Sequence, residues 1–273
     1  SKDGTIKYLL GLEDNNAVEC VLMKYKHGYS ICISSQVGCR MNCSFCASTE
    51  GGLVRNLTSG EMIEEIMAVE RESGVKISNI VIMGIGEPFD NYDEVLKFLR
   101  TINHKDGINI GMRHITISTS GLVPAIYRFA DENLQCNLAI SLHSAKDDIR
   151  SKLMPINRKY NIEELMKACD YYIRKTNRRI TFEYALIDDM NDSEDDAKAL
   201  SELLKGKLCH INIIPINPIK GKDYKRSEFS KIKMFMRIIE ENRIPVTLRR
   251  ELGTDIEGAC GQLRKSAIEA QKC

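Results

Sequence analysis

No apolar run in the chain approaches the roughly 18 residues needed to cross a membrane, and residues 1–20 lack the basic-then-apolar order of a secretory leader. Neither membrane insertion nor export is therefore expected, and a cytoplasmic location is. A large excess of one charge is missing as well. The formal net charge of +1 gives no global pull toward acidic or basic partners. Contact with nucleic acid must then come from local patches such as Arg178–Arg179, Lys222 to Arg226 or Arg249–Arg250, each of which alone is an ordinary solvated face. The phosphate-loop signatures are incomplete: Gly84-Ile85-Gly86-Glu87-Pro88 has neither a third spaced glycine nor a following Lys-Ser/Thr pair. Nor does a long polar linker interrupt the chain.

What is present is ordinary for a soluble enzyme: 273 residues, 43% hydrophobic and 28% charged, enough to bury a large core as one domain or two. Ten cysteines in a chain without export signals read as reduced, metal-bound or catalytic thiols rather than a disulfide framework. Three short strands are predicted at Thr5 to Leu12, Val18 to Lys24 and Ser30 to Ser34. The capping box Thr58-x-x-Glu61 opens a helix, and the β-branched run Ile77 to Met83 reads as a strand of a covered parallel sheet. Helices at 92–102, 123–131, 162–175, 193–205 and 228–241 then precede strands at 114–118, 136–142, 179–187, 209–216 and 246–251. This alternation predicts an α/β fold, a partial (β/α)6 TIM-type barrel over residues 31–252 with right-handed crossovers. Residues 1–30 form a small N-terminal β extension in this reading, and 253–273 a C-terminal loop and tail. Polar punctuation falls at strand C-termini, the catalytic face of such barrels, and includes Gly86, Glu87, Ser118, Ser141-Leu142-His143 and Asn217. Small polar side chains there suit ribose hydroxyls, a base edge and a carboxylate, although each by itself is as readily a turn or helix cap.

The sharpest signal is Cys39-Arg-Met-Asn-Cys43-Ser-Phe-Cys46. A structural zinc site is normally filled by four protein ligands, whereas a 4Fe-4S cluster held by three thiolates keeps one iron open for chemistry. A zinc knuckle with a distant fourth ligand is the bland alternative. Cys260, before Gly261 in the loop after the last predicted strand, is either a small thiol at a turn or a sulfur presented to substrate at the catalytic face. By periodicity alone Glu19 is a solvated strand carboxylate and Cys32 a packing thiol.

The cysteine spacing, with Cys-Ile-Ser-Ser-Gln-Val-Gly-Cys at 32–39, Met-Gly-Ile-Gly-Glu-Pro at 83–88, Ser-Thr-Ser-Gly at 118–121, Ser-Leu-His at 141–143, Leu-Met-Pro-Ile-Asn at 153–157 and Ala-Cys-Gly-Gln-Leu at 259–263, resembles the radical S-adenosylmethionine (SAM) methyl synthases that act on C2 of an adenosine in 23S ribosomal RNA. The resemblance implies that Cys39, Cys43 and Cys46 ligate a 4Fe-4S cluster whose open iron chelates SAM. It implies SAM contacts at Gly86, Glu87, Ser118, Ser141, Leu142, His143 and Asn217, with the Glu87 carboxylate accepting from the SAM ammonium. By the same resemblance Cys260 is methylated by one SAM, and a second SAM yields the radical that activates this methyl, so two are used per turnover. Glu19 is then the proton acceptor, and Cys32 the thiol that resolves the protein–RNA adduct and can form a disulfide with Cys260. A radical route is chemically required, because C2 of adenine is electron-poor and does not attack the methyl of SAM. The resemblance also implies 23S rRNA as partner, with tRNA as a further substrate, a flavodoxin or ferredoxin as electron donor, a monomeric enzyme, and a helical N-terminal domain upstream that this chain is expected to lack. Related enzymes that methylate C8 and confer ribosome-antibiotic resistance share the cysteines but commonly have Ala at the position of Pro88, which favours C2.

Overall fold

The computed structural model describes residues 1–26, 28–217, 221–259 and 261–263, so Cys260 lies outside the described residues. The chain divides into two compact units. One comprises Ser1–Asn42, Cys46–Ser118 and the described residues from Glu251 onward, the other Cys43–Phe45 with Thr119–Arg250.

In the first unit, β1 (Ile6–Gly11) pairs antiparallel with β2 (Ala17–Tyr25), which pairs antiparallel with β3 (Gly28–Ile33). The turn at Glu13 to Asn16 is closed by Asn15 in the left-handed region, φ 63°, a conformation Asn tolerates. β4 (Gln36–Gly38) and β5 (Leu53–Asn56) form a short hairpin on either side of the cysteine loop. A three-residue strand is too short to show alternation, and this pair was not legible beforehand. Helix α1 (Ser59–Ser73) starts at the predicted capping box, Thr58 Oγ1 accepting from the Glu61 amide and the Glu61 carboxylate from the Thr58 amide, and stops at Gly74 with φ 67°. Strand β6 (Ile77–Ile82), helix α2 (Tyr92–Ile102) and strand β7 (Ile115–Thr119) follow, with β3, β6 and β7 parallel.

The second unit continues the alternation with α3 (Val123–Asp131), β8 (Asn137–Ser141), α4 (Asp147–Leu153), α5 (Ile162–Thr176), β9 (Ile180–Leu186), α6 (Glu194–Leu204), β10 (Cys209–Pro215), α7 (Phe229–Glu241) and β11 (Val246–Leu248). Strands β8 to β11 pair in parallel in that order. Predicted and observed elements agree to within a residue or two, except that β11 ends at Leu248 instead of running to Glu251 and that α4 was unforeseen. Seven residues give a helix too few turns for a periodic signal. No helix among the described residues is long and apolar enough to cross a membrane.

One buried carboxyl in the first unit has a measurable signature. Glu65 on α1 is 1% exposed, and its Oε2 accepts from the Ser34 amide at 3.1 Å. Burial holds this carboxyl well above the usual range, so the folded protein keeps it neutral. In the unfolded chain it ionises near an ordinary value of about 4.3. Between that pH and the folded-state value the native state binds the extra proton, and stability must fall as pH rises. Glu65→Gln, which mimics the neutral acid, should flatten the stability–pH curve on the alkaline side. Chemical denaturation between pH 5 and 9 checks this, and an unchanged slope would show that Glu65 is ionised in the fold.

Candidate active site

Residues 34–36 cradle the glycine turn 84–88 in the first unit. The Gly84 amide donates to the Ile33 carbonyl at 2.9 Å, Ile85 N to Ser34 Oγ at 3.0 Å, and Ser35 N to the Ile85 carbonyl at 2.9 Å. Gln36 then accepts from the Glu87 amide at 2.9 Å, while its own Nε2 donates to Asn56 and Asp90. Gly86 sits at φ +108°, and a Cβ there would stand 2.6 Å from Gln36 Cβ, so only glycine lets the turn approach. Glu87 is 3% exposed and caps the 3-10 turn at Pro88, accepting from the Phe89 amide at 3.0 Å. Ser118 lies half-buried in β7.

The cysteine loop leaves β4 through Gly38 at φ +75°, where a Cβ would collide with the Gly52 carbonyl oxygen across the hairpin. Burial pushes the Cys39 thiol up to about 12, with Glu87, Cys46 and Asp90 adding negative charge and the Met41 amide opposing. Without a metal that thiol stays protonated, and a bound cation would reverse the balance. Just past Cys46, the Ala47 amide donates to the Gly261 carbonyl at 2.8 Å and Ser48 Oγ to the Leu263 carbonyl at 2.7 Å. Residues flanking position 260 are thus bonded to the segment that leaves the cysteine loop. Cys32 is 7% exposed and packs with Val21, Met23, Ile85, Leu252 and Leu263. Glu19, expected from periodicity to be solvated, is instead 3% exposed on β2.

In the second unit, the Phe45 ring stands edge-on to His143, centroids 4.9 Å apart. His143 adopts φ 57°, and its Nδ1 accepts from the Ala185 amide at 2.9 Å, which assigns the acceptor tautomer. Burial, then the Arg150 charge, pulls the imidazole down to about 3. It is neutral at working pH. Asn191 fixes the same loop by donating to the carbonyls of His143 and Ala185. Ser141 is half-buried at the end of β8, Leu142 fully buried, and Asn217 is 8% exposed after β10.

Three residues were missed by sequence reasoning. Arg150, 0% exposed on α4, donates to the carbonyls of Ser120, Ser141 and Leu142 at 2.8, 3.1 and 3.1 Å and to Asn157 Oδ1 at 2.7 Å. The Leu-Met-Pro-Ile-Asn segment containing Asn157 was its only trace in the sequence. Gln36 lay inside the 32–39 match but drew no separate reading. Glu183 on β9 is buried beside Asn212 Nδ2 at 2.8 Å and Arg249 at 3.8 Å, and burial raises its carboxyl.

The Radical SAM superfamily sequence model matches residues 33–200. A probable dual-specificity RNA methyltransferase RlmN from Lachnoclostridium phytofermentans is 58% identical over 264 residues, covering 97% of this chain and 74% of that protein. Its namesake from Caldanaerobacter subterraneus subsp. tengcongensis is 59% identical, covering 98% of this chain and 78% of that protein. The chain belongs to the radical SAM superfamily and, within it, to the dual-specificity RNA methyltransferases. The crystal structure of a radical SAM methyltransferase from Sphaerobacter thermophilus superposes with a TM-score of 0.95 at 48% identity, covering 97% of this chain and 79% of that one. The mixed α/β architecture with its parallel strands is therefore the radical SAM fold.

Membership implies a 4Fe-4S cluster and SAM, and the donors present fit them. Three thiol donors stand within eight residues, Cys39 buried and Cys43 and Cys46 half-exposed. A single-ion alternative fares worse. Among the described residues the grouping tight enough for one ion is Asp188, Asp189 and Asp192, and Lys231 already sits against these carboxylates at 2.7, 2.9 and 3.4 Å.

Proposed function

We propose that this RNA methyltransferase modifies C2 of an adenosine in 23S rRNA, and of tRNA adenosine as a further substrate, through a methyl group carried on Cys260. The docking of Ala47 and Ser48 on Gly261 and Leu263, immediately after Cys46, carries the reading. It ties the flank of the carrier to the cluster loop, and Leu252 and Leu263 share an apolar cluster with Cys32.

In this reading Cys39, Cys43 and Cys46 hold the cluster, which when bound supplies the electron for reductive cleavage of SAM. Gly86 opens the turn to a ligand, and Glu87 receives the SAM ammonium, its carboxylate already oriented by the Phe89 amide. Ser118, Ser141, Leu142, His143 and Asn217 complete the SAM contacts, with His143 acting through shape and not proton transfer. Glu19 takes the proton displaced from C2. The Cys32 thiolate attacks the carrier sulfur and forms a disulfide with Cys260, while the sulfur–carbon bond breaks, its electron pair leaving with the carbon, which takes up a proton to become the methyl group on the purine. Two SAM molecules are consumed per turnover, and a flavodoxin or ferredoxin supplies electrons to a monomeric, cytoplasmic enzyme. The C2 reading is preferred to C8 because Pro88 stands where the related C8 enzymes commonly have Ala.

Mass spectrometry of digests of 23S rRNA and tRNA incubated with the reduced, reconstituted protein and SAM tests this reading. 2-Methyladenosine is the expected product. 8-Methyladenosine, or no methylated adenosine, would overturn it, and the Cys39→Ala protein is the blank.

A further inference from the structure

We infer that Lys7 is a positioning residue for the reaction: it holds the Glu19 carboxylate in place and ties it to the loop that leads to Cys260. The inference rests on the reading of Glu19 as proton acceptor.

Lys7 lies on β1 opposite Val21 of β2, and Leu9 lies opposite Glu19. Lys7 and Glu19 are thus diagonal neighbours on one face of an antiparallel pair, a separation that a long side chain spans. The Lys7 ammonium reaches Glu19 Oε1 at 3.1 Å, where the glutamate side chain is 5% exposed and that of the lysine 22%. A carboxylate removed from water is held in one orientation only if a partner replaces its hydration. Lys7 supplies a cation, and the pair stays connected to solvent through the lysine stem.

The same ammonium donates to the Glu257 carbonyl at 3.5 Å, three positions before Cys260. The segment leading into β1 holds that loop at further points. Asp3 Oδ2 accepts from the Gly253 amide at 2.9 Å, and Asp255 accepts from Ser1 Oγ at 2.5 Å and from the Lys2 amide at 3.2 Å. Thr5, 1% exposed, lies beneath Gly253 so closely that a Cβ there would stand 3.0 Å from Thr5 Cγ2. Residues 1–7 therefore bind the loop at Gly253, Asp255 and Glu257, and through Lys7 bind Glu19 at the same time.

The chemistry gives this connection a purpose. The one-carbon unit delivered by Cys260 and the proton accepted by Glu19 concern the same ring carbon. When the C2–H bond breaks, its proton moves to the carboxylate and its electron pair stays with the purine. Base and carrier must therefore keep a fixed offset, and Lys7 is bonded to the base and to the carrier's loop. Lys7 itself exchanges no proton or electron.

The test uses reconstituted Lys7→Met, Lys7→Arg and Glu19→Gln proteins with SAM, reductant and a transcribed 23S rRNA fragment. Four quantities are read: methyl mass on the Cys260 peptide, 5′-deoxyadenosine formed, covalent protein–RNA adduct on a denaturing gel, and released methylated RNA. For Lys7→Met, methyl loading and 5′-deoxyadenosine should stay within about twofold while released product falls about a hundredfold and adduct accumulates, the lower end of what loss of a working base costs. Lys7→Arg should recover most of the release. Release at the normal rate by Lys7→Met, or a parallel fall in all four quantities, would overturn the inference. Glu19→Gln separates the two readings. If it traps adduct and Lys7→Met does not, only the role of Lys7 fails; if Glu19→Gln itself releases product normally, the assignment of the base fails.

Discussion

Cys260→Ala should lose both the protein-bound methyl and all RNA methylation, whereas Cys32→Ala should load the methyl, form the adduct and then stall as protein covalently bound to RNA. The contrast follows from the separate tasks proposed for two thiols that composition alone treats alike. A carrier sulfur is bonded to the transferred carbon throughout, so its removal leaves nothing to activate. The second thiol is needed only when the sulfur–carbon bond must break, since it attacks the carrier sulfur and replaces that bond with a disulfide. Cys32 is suited to wait for that step. It lies on β3 in one apolar cluster with Leu252 and Leu263, the latter three residues past the carrier, surroundings that discourage side reactions with solvent oxidants. Cys20, 0% exposed on the neighbouring strand, marks the other extreme, a thiol that burial raises far above the usual range and renders inert. Peptide mass spectrometry locates the methyl, and a denaturing gel with labelled RNA reveals the adduct. Methyl mass on Cys32, or free methylated RNA from Cys32→Ala at the normal rate, would show the roles to be reversed.

The largest effect on stability is expected from Arg150→Met, a loss of about 3–5 kcal/mol, the range for breaking a buried charged network. Four acceptors lose a donor at once, the carbonyls of Ser120, Ser141 and Leu142 and the side chain of Asn157, although the Leu142 carbonyl keeps the Ser144 amide at 2.8 Å. Each buried acceptor left unpaired costs about 1–3 kcal/mol, and methionine can satisfy none of them. Although burial lowers the guanidinium to about 10, it remains charged at neutral pH. Asn157 relays the charge to Asp147 by donating to its Oδ1 at 2.7 Å. Lysine should not rescue, because a point donor cannot reach acceptors spread around a planar fork. Since the Ser141 and Leu142 carbonyls belong to the predicted SAM-binding segment, surviving Arg150→Met protein should also bind SAM poorly. Urea unfolding midpoints measure the loss, and a change below about 1 kcal/mol, the typical net worth of one neutral hydrogen bond, would contradict the network.

Sequence alone determined the alternation of helices and strands, because apolar spacing and β-branched runs are properties of neighbours along the chain. The capping box at Thr58–Glu61 and the helix stop at Gly74 follow the same local rules. The cysteines proposed as cluster ligands stood out for a similar reason: Cys39, Cys43 and Cys46 lie within eight residues, so their number and spacing can be read before any folding is considered. Tertiary structure decided what depends on meetings between distant residues. Glu19 read as a solvated strand carboxylate until the fold buried it beside β1, and nothing in its own strand named Lys7 as its partner. His143 could have been a base, but a buried position and an amide donor from Ala185 made it neutral. Arg150 was invisible for a deeper reason. Its chief acceptors are backbone carbonyls, which every residue carries, so only the fold could select the ones it binds.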